Sequence, residues 1–170
     1  MNVLSLDTAT KTGWAHTNGT SGMQDFAPRR GDSPGMRFIE FRSWLHRVLD
    51  AAPTELIAYE QPGHMRSRAA THVCEGLIAH VEAVAAERKI EITSRSPSDL
   101  KKFIRPDVPH NKRNKPRLMQ YVENNWPHVP LIDDNHADAI LLLWYVLCDL
   151  RIGGTVWHAQ HRGWHPGGVR

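Results

Sequence analysis

Asn2-Val3-Leu4-Ser5-Leu6-Asp7-Thr8-Ala9-Thr10-Lys11-Thr12-Gly13-Trp14-Ala15-His16 opens the chain with a short apolar strand that stops on an acid. Val3, Leu4 and Leu6 form the apolar run, small and hydroxylated residues follow Asp7, and Gly13-Trp14-Ala15 begins a second extended segment. A buried strand that ends on a lone carboxylate and turns at once into another strand places that carboxylate at the mouth of a sheet. Capping of the turn by Asp7, through Thr8 and Thr10, is the plainer alternative. Two further acids at equally marked places downstream decide between them.

Residues 11–17 and 22–27 read as the second and third strands, with Asn18-Gly19 as a hairpin signal between them. Ser33-Pro34 has the form of a helix start, and Phe38, Ile39, Phe41, Trp44, Leu45, Val48 and Leu49 recur at helical spacing before Pro53. Leu56-Ile57-Ala58-Tyr59 is a fourth strand that finishes on Glu60. A helix is expected over 69–88 through Val73, Leu77, Ile78, Val81, Val84 and Ala85, with Ala79, Ala83 and Ala86 small enough for another helix to approach. A fifth strand follows over 90–93, then helices from Ser96-Pro97 and over 116–126. The last helix starts at Asp133-Asp134 and is apolar on nearly every side from Ala139 to Leu147. This order predicts an α/β fold, a five-stranded mixed sheet flanked by helices. One domain over 1–152 and an irregular, Gly-, His- and Trp-rich tail over 153–170 are expected.

Composition narrows the class. The 170 residues are 41% hydrophobic and 23% charged, ordinary values for a globular domain, and 21 basic against 18 acidic residues leave only +3. No apolar run approaches the roughly 18 residues of a membrane span, and no signal peptide opens the chain. Cys74 and Cys148 match no metal spacing and read as reduced, buried thiols, so a cytoplasmic location is expected.

The acids carry the chemistry. Asp7 and Glu60 end strands, and Asp134 and Asp138 lie four residues apart at the start of an apolar helix, hence on one face. Helix capping accounts for Asp133 and Asp134 but not for Asp138, one turn inside the apolar segment. A carboxylate there is costly without a compensating cation. Oxygen donors at strand ends and a helix start suit hard divalent ions, and a pair of these ions roughly 3.5–4 Å apart activates water for phosphodiester cleavage.

Leu6-Asp7-Thr8-Ala9-Thr10-Lys11-Thr12-Gly13-Trp14-Ala15, then Tyr59-Glu60-Gln61-Pro62, then Asp133-Asp134-Asn135-His136-Ala137-Asp138-Ala139 resembles the RuvC-type Holliday-junction resolvases, their bacteriophage branch more than the cellular enzymes. The resemblance covers about residues 2–150. It implies an RNase H-like fold of the retroviral-integrase superfamily, a homodimer, Mg²⁺ or Mn²⁺ with two ions per site, and endonucleolytic resolution of four-way and branched DNA. It makes Asp7 the acid that bridges both ions, Glu60 the strand-four ligand and Asp138 the acid before the helix alanine. The chain departs from the cellular pattern at Asn135, where an acid or histidine stands. Asp134 shares a helical face with Asp138 and is the preferred fourth residue; His136 replaces it if the helix begins only at Ala137.

Seven basic residues lie between Lys101 and Arg117, with Asp107 alone opposing them. A solvated lysine face is the alternative to a path for DNA phosphates. The resemblance favours the second and names Lys101, Lys102 and Lys115, with Arg66 and Arg68 in a loop that meets the junction centre. Other branched DNA or RNA–DNA hybrids as substrates, and a catalytically idle DNA-binding module, are the competing readings. Actin-like ATPases share a strand-one acid but need further glycine-rich phosphate turns, which this chain lacks. Replacing Lys101, Lys102 and Lys115 with Ala should lower the log–log salt slope of junction affinity by about 0.9 per lost phosphate contact. A salt titration giving the wild-type slope would identify them as a solvated face.

Overall fold

The computed structural model describes residues 1–63, 67–104 and 115–150. Their order is β1 (Val3–Asp7), β2 (Lys11–His16), β3 (Ser21–Asp25), α1 (Met36–Ala51), β4 (Leu56–Glu60), α2 (Arg68–Arg88), β5 (Glu91–Arg95), α3 (Pro97–Ile104), α4 (Lys115–Asn125) and α5 (Asp134–Asp149). The five strands form one mixed sheet in the order β3-β2-β1-β4-β5. β1 is antiparallel to β2 and parallel to β4, so the carboxyl ends of β1, β4 and β5 lie at the same edge. The expected tail, the loop 105–114, and His64 and Arg66 lie outside the described residues.

Period-two alternation divides the core. Val3, Leu56 and Ala58 belong to the apolar cluster built by α3, α4 and α5. Leu4, Leu6, Ile57 and Tyr59 belong to the other, filled by α1 and α2. β1 and β4 are therefore covered on both faces, which explains their nearly unbroken apolar sequences. Ser5 is the polar exception, fully buried, and its hydroxyl donates to the Ala139 carbonyl of α5 at 2.7 Å. One turn earlier, α5 meets β2: a Cβ at Gly13 would overlap the carbonyl of Asn135. Only glycine admits this approach, and it seats the start of α5 beside the end of β1, because Gly13 is the pairing partner of Asp7.

The starts of α1 and β5 differ from the sequence expectation. Ser33 does not cap α1: its hydroxyl accepts from Gly35 N at 3.2 Å, its carbonyl accepts from Met36 N at 3.0 Å, and the helix starts after this turn. Ile90 is not in β5, because its N–H closes α2 on Ala85 O at 2.9 Å, beside Lys89 at φ 56°. β5 begins one residue later, at Glu91. The apolar stripe of α2 packs on its own sheet, leaving Ala79, Ala83 and Ala86 exposed. Among the described residues no helix is long and apolar enough to cross a membrane.

The Gly13–Asn135 contact has a measurable consequence. Gly13→Ala forces α5 off β2 and should cost on the order of 3 kcal/mol, the upper range for overpacking against backbone. Urea unfolding checks this; a loss below about 0.5 kcal/mol would show that α5 does not rest on Gly13.

Candidate active site

Asp7 is the last residue of β1 and Glu60 the last of β4. The parallel register runs from Val3 opposite Leu56 to Leu6 opposite Tyr59, and one further step brings Asp7 alongside Glu60. Alternation assigns both to the face of Val3, Ser5 and Ala58, the face covered by α5. α5 runs away from this edge, from Asn135 over Gly13 to Ala139 at Ser5, so its first turn lies at the same mouth.

That turn carries the remaining acids. Asp133 is the N-cap, its carboxylate accepting from His136 N at 2.9 Å, and the helix proper begins at Asp134. The start at Asp134 puts Asp134 and Asp138 on one face, and both are half-buried. His136 is 1% exposed, and its Nδ1 accepts from Ile132 N at 3.3 Å. In the neutral ring this leaves the proton on Nε2, which has no hydrogen-bond partner among the described residues. Burial pushes the His136 pKa down, partly opposed by Asp133. The structure thus faces Asp134 toward the side of Asp138 and sinks His136 beneath the turn.

Burial pushes the Glu60 pKa up, and Lys101 acts against that shift. Lys101 of α3 is therefore within electrostatic reach of Glu60, whereas its neighbour Lys102 pairs with Asp99 at 3.6 Å. Arg68 opens α2 and is exposed; Lys115 opens α4. Across the mouth, Cys74 of α2 senses Asp7: burial raises its thiol pKa first, and the negative charges of Asp7 and Glu75 add to this. Cys74 and Cys148 are free thiols, and burial raises the second to about 11.

The β1–β2 turn that follows Asp7 is fastened from several sides. Thr12 Oγ1 donates to Ala9 O at 2.7 Å, and Phe26 N donates to Thr10 O at 2.8 Å. Arg37 of α1 donates to Thr10 Oγ1 at 3.3 Å and to Pro34 O at 3.2 Å. The sequence reading missed Arg37, which looks like a polar position of an amphipathic helix until the topology brings the start of α1 to the end of β1.

As a donor set, Asp7, Glu60, Asp134 and Asp138 offer only oxygen, the chemistry hard divalent ions take. Among the described residues, no three His, Cys, Asp or Glu side chains stand together as a group able to hold a metal ion. The backbone gathers the four acids at one edge without closing their side chains into a coordination shell.

No protein-family model matches the sequence, and a search of curated proteins finds no match. Solved structures do match. RuvC of T. thermophilus in complex with a Holliday junction substrate aligns with a TM-score of 0.71 at 16% identity, over 90% of this chain and 97% of that one. A second Thermus thermophilus RuvC structure gives 0.68 at 15%, over 89% and 97%. The yeast mitochondrial Holliday junction resolvase Ydc2 gives 0.57 at 13%, over 82% and 75%. The chain has the α/β fold of these RuvC-type, RNase H-like proteins.

The raised Glu60 pKa sets a pH dependence. Above its ordinary value of 4.5, folded Glu60 holds its proton longer than the unfolded chain does. Its contribution to stability is present below that value and is lost as pH rises through the folded pKa. Glu60→Gln should therefore be more stable than wild type at pH 7.5 in chelator, with the gap closing toward pH 4. Urea unfolding at both values checks this; a Gln variant less stable at pH 7.5 would contradict it.

Proposed function

We propose that the chain is a divalent-metal-dependent endonuclease that resolves Holliday junctions and related branched DNA. One observation carries the reading: Asp7 and Glu60 end adjacent parallel strands, in register, on the face where the Asp134–Asp138 turn of α5 begins. The fold shared with resolvases, one of them bound to a junction, supports branched DNA as substrate. The motifs around Asp7, Glu60 and Asp138 resemble the bacteriophage branch more than the cellular enzymes, and action in the host cytoplasm belongs to the same proposal.

In this reading Asp7, Glu60, Asp138 and Asp134 would hold Mg²⁺ or Mn²⁺, two ions per site, which would supply water activation and charge stabilisation for phosphodiester hydrolysis. The residues themselves do the rest. Burial of Glu60 removes water from its carboxylate and raises its basicity, so that a cation at the site is favoured. Lys101 offers a positive charge beside that carboxylate for the phosphate being cut, and the fastened β1–β2 turn holds Asp7 in place. Lys102, Lys115, Arg66 and Arg68 contact flanking backbone.

A four-way junction presents two symmetry-related strands, so a C2 homodimer supplies two matched sites. The exposed Ala79, Ala83 and Ala86 on α2 support that helix as the contact. Light scattering at micromolar concentration should give twice the chain mass; a monomer both with and without junction DNA would count against the dimer.

Asp7→Asn tests the site. Junction binding should persist, because removing a negative charge beside phosphate does not weaken attraction. Cleavage should fall by about 100-fold or more, since even outer-shell partners of metal ligands cost up to about that much. Near wild-type cutting by this variant in Mg²⁺ would overturn the metal reading.

A further inference from the structure

We propose that Arg29, Arg30 and Arg37 form a second phosphate-contacting group, on the opposite side of the mouth from Lys101, so that a DNA strand lies across the sheet edge from α3 to α1. The proposal rests on the nuclease reading and specifies the path of its substrate.

The topology makes the placement. β3 runs antiparallel to β2 and therefore ends, at Asp25, on the same edge as Asp7. The loop after it, residues 26–35, and the first turn of α1 belong to that edge. Phe26 is bonded to Thr10, and Arg37 is bonded to both Thr10 and Pro34, so loop, helix start and β1–β2 turn form one unit. β3 stands two strands from β1, about 10 Å at the usual strand spacing. β5, which leads into α3 and Lys101, lies two strands from β1 on the other side. The acids thus stand between two basic groups, each about three nucleotides of axial rise away.

The charges there are uncommitted. Arg42 pairs with Glu87 and Arg88 with Asp50, both away from the mouth, and Arg95, beside Glu60 at the end of β5, is paired with Asp149. Among the described residues, Arg29, Arg30 and Arg37 form no ion pair within 4.0 Å. Residues 26–38 hold these three arginines against one acid, Asp32, whose carboxylate accepts from the backbone N of Arg29 at 3.0 Å. Lys11 is left out of the group because it stands opposite Asp25 in the β2–β3 register. Arg37 also works against its own helix: a cation in a first turn that contains no acid opposes the helix dipole. Two hydrogen bonds nonetheless hold its guanidinium at the mouth, beside the turn that follows Asp7. A fork of planar donors near a site for phosphodiesters suits backbone phosphate.

The experiment is a salt titration of affinity for a synthetic four-way junction, read by fluorescence anisotropy with chelator present. The exposed pair Arg29→Ala/Arg30→Ala leaves every side-chain hydrogen bond among the described residues intact, and the triple variant adds Arg37→Ala. The log–log slope should fall by about 1.8 for the double and about 2.7 for the triple variant, at about 0.9 per lost contact. Arg42→Ala, which removes a cation from the outer face of α1, should leave the slope unchanged. Wild-type slopes for the double and triple variants overturn this proposal alone. A wild-type chain without junction affinity overturns the functional reading together with it. An equal fall for Arg42→Ala shows a response to net charge only and also overturns it.

Discussion

The first turn of α5 rests on the bare backbone of Gly13, and the geometry of the mouth depends on that contact. Gly13 is paired with Asp7, so the strand that presents the first acid and the helix that presents two more are locked at one point. The bond from Ser5 to Ala139, one turn along, fixes the direction of α5 across the sheet. Parallel pairing of β1 with β4 then adds Glu60 without a further long-range contact. Helix start, strand end and neighbouring strand end meet because one position carries no side chain.

This meeting is electrostatically unfavourable in isolation. Four carboxylates gather at one edge, and burial there pushes the Glu60 pKa up. Positive charge relieves such a site from outside: Lys101 already opposes the Glu60 shift, and arginines flank the mouth on the α1 side. In the proposed reading, stability and function pull in opposite directions here, because the same acids would bind cations and place phosphate beside them. The other charged groups illustrate the contrast, since Arg42 and Arg88 are neutralised by near carboxylates away from that edge.

Much of this was legible in the sequence, and for definite reasons. Strands that stop on Asp7 and Glu60 show as apolar runs ended by an acid, and the five-stranded mixed sheet follows from the order of elements. Asp133 as N-cap shows as a run of acids before an apolar helix, which is why the helix start at Asp134 was readable. Gly13 reads only as part of the second strand, because a close backbone approach from the distant start of α5 at Asn135 leaves no local signal. Arg37 was invisible for the same reason: its place depends on which end of α1 meets the sheet edge. The start of α1 was misplaced because Ser33-Pro34 forms a turn of its own before Met36. The apolar stripe of α2 packs toward the sheet, and Ala79, Ala83 and Ala86 are among the residues it leaves exposed.

The most direct measurement incubates the purified chain with end-labelled four-way junction, replication fork, duplex DNA and RNA–DNA hybrid, each with Mg²⁺ and with chelator. Paired, symmetry-related nicks near the branch point of the four-way junction, dependent on Mg²⁺ and absent from duplex, are the predicted result. Cutting of the RNA–DNA hybrid in preference to the junction, or no divalent-dependent cutting of any substrate, would contradict the account.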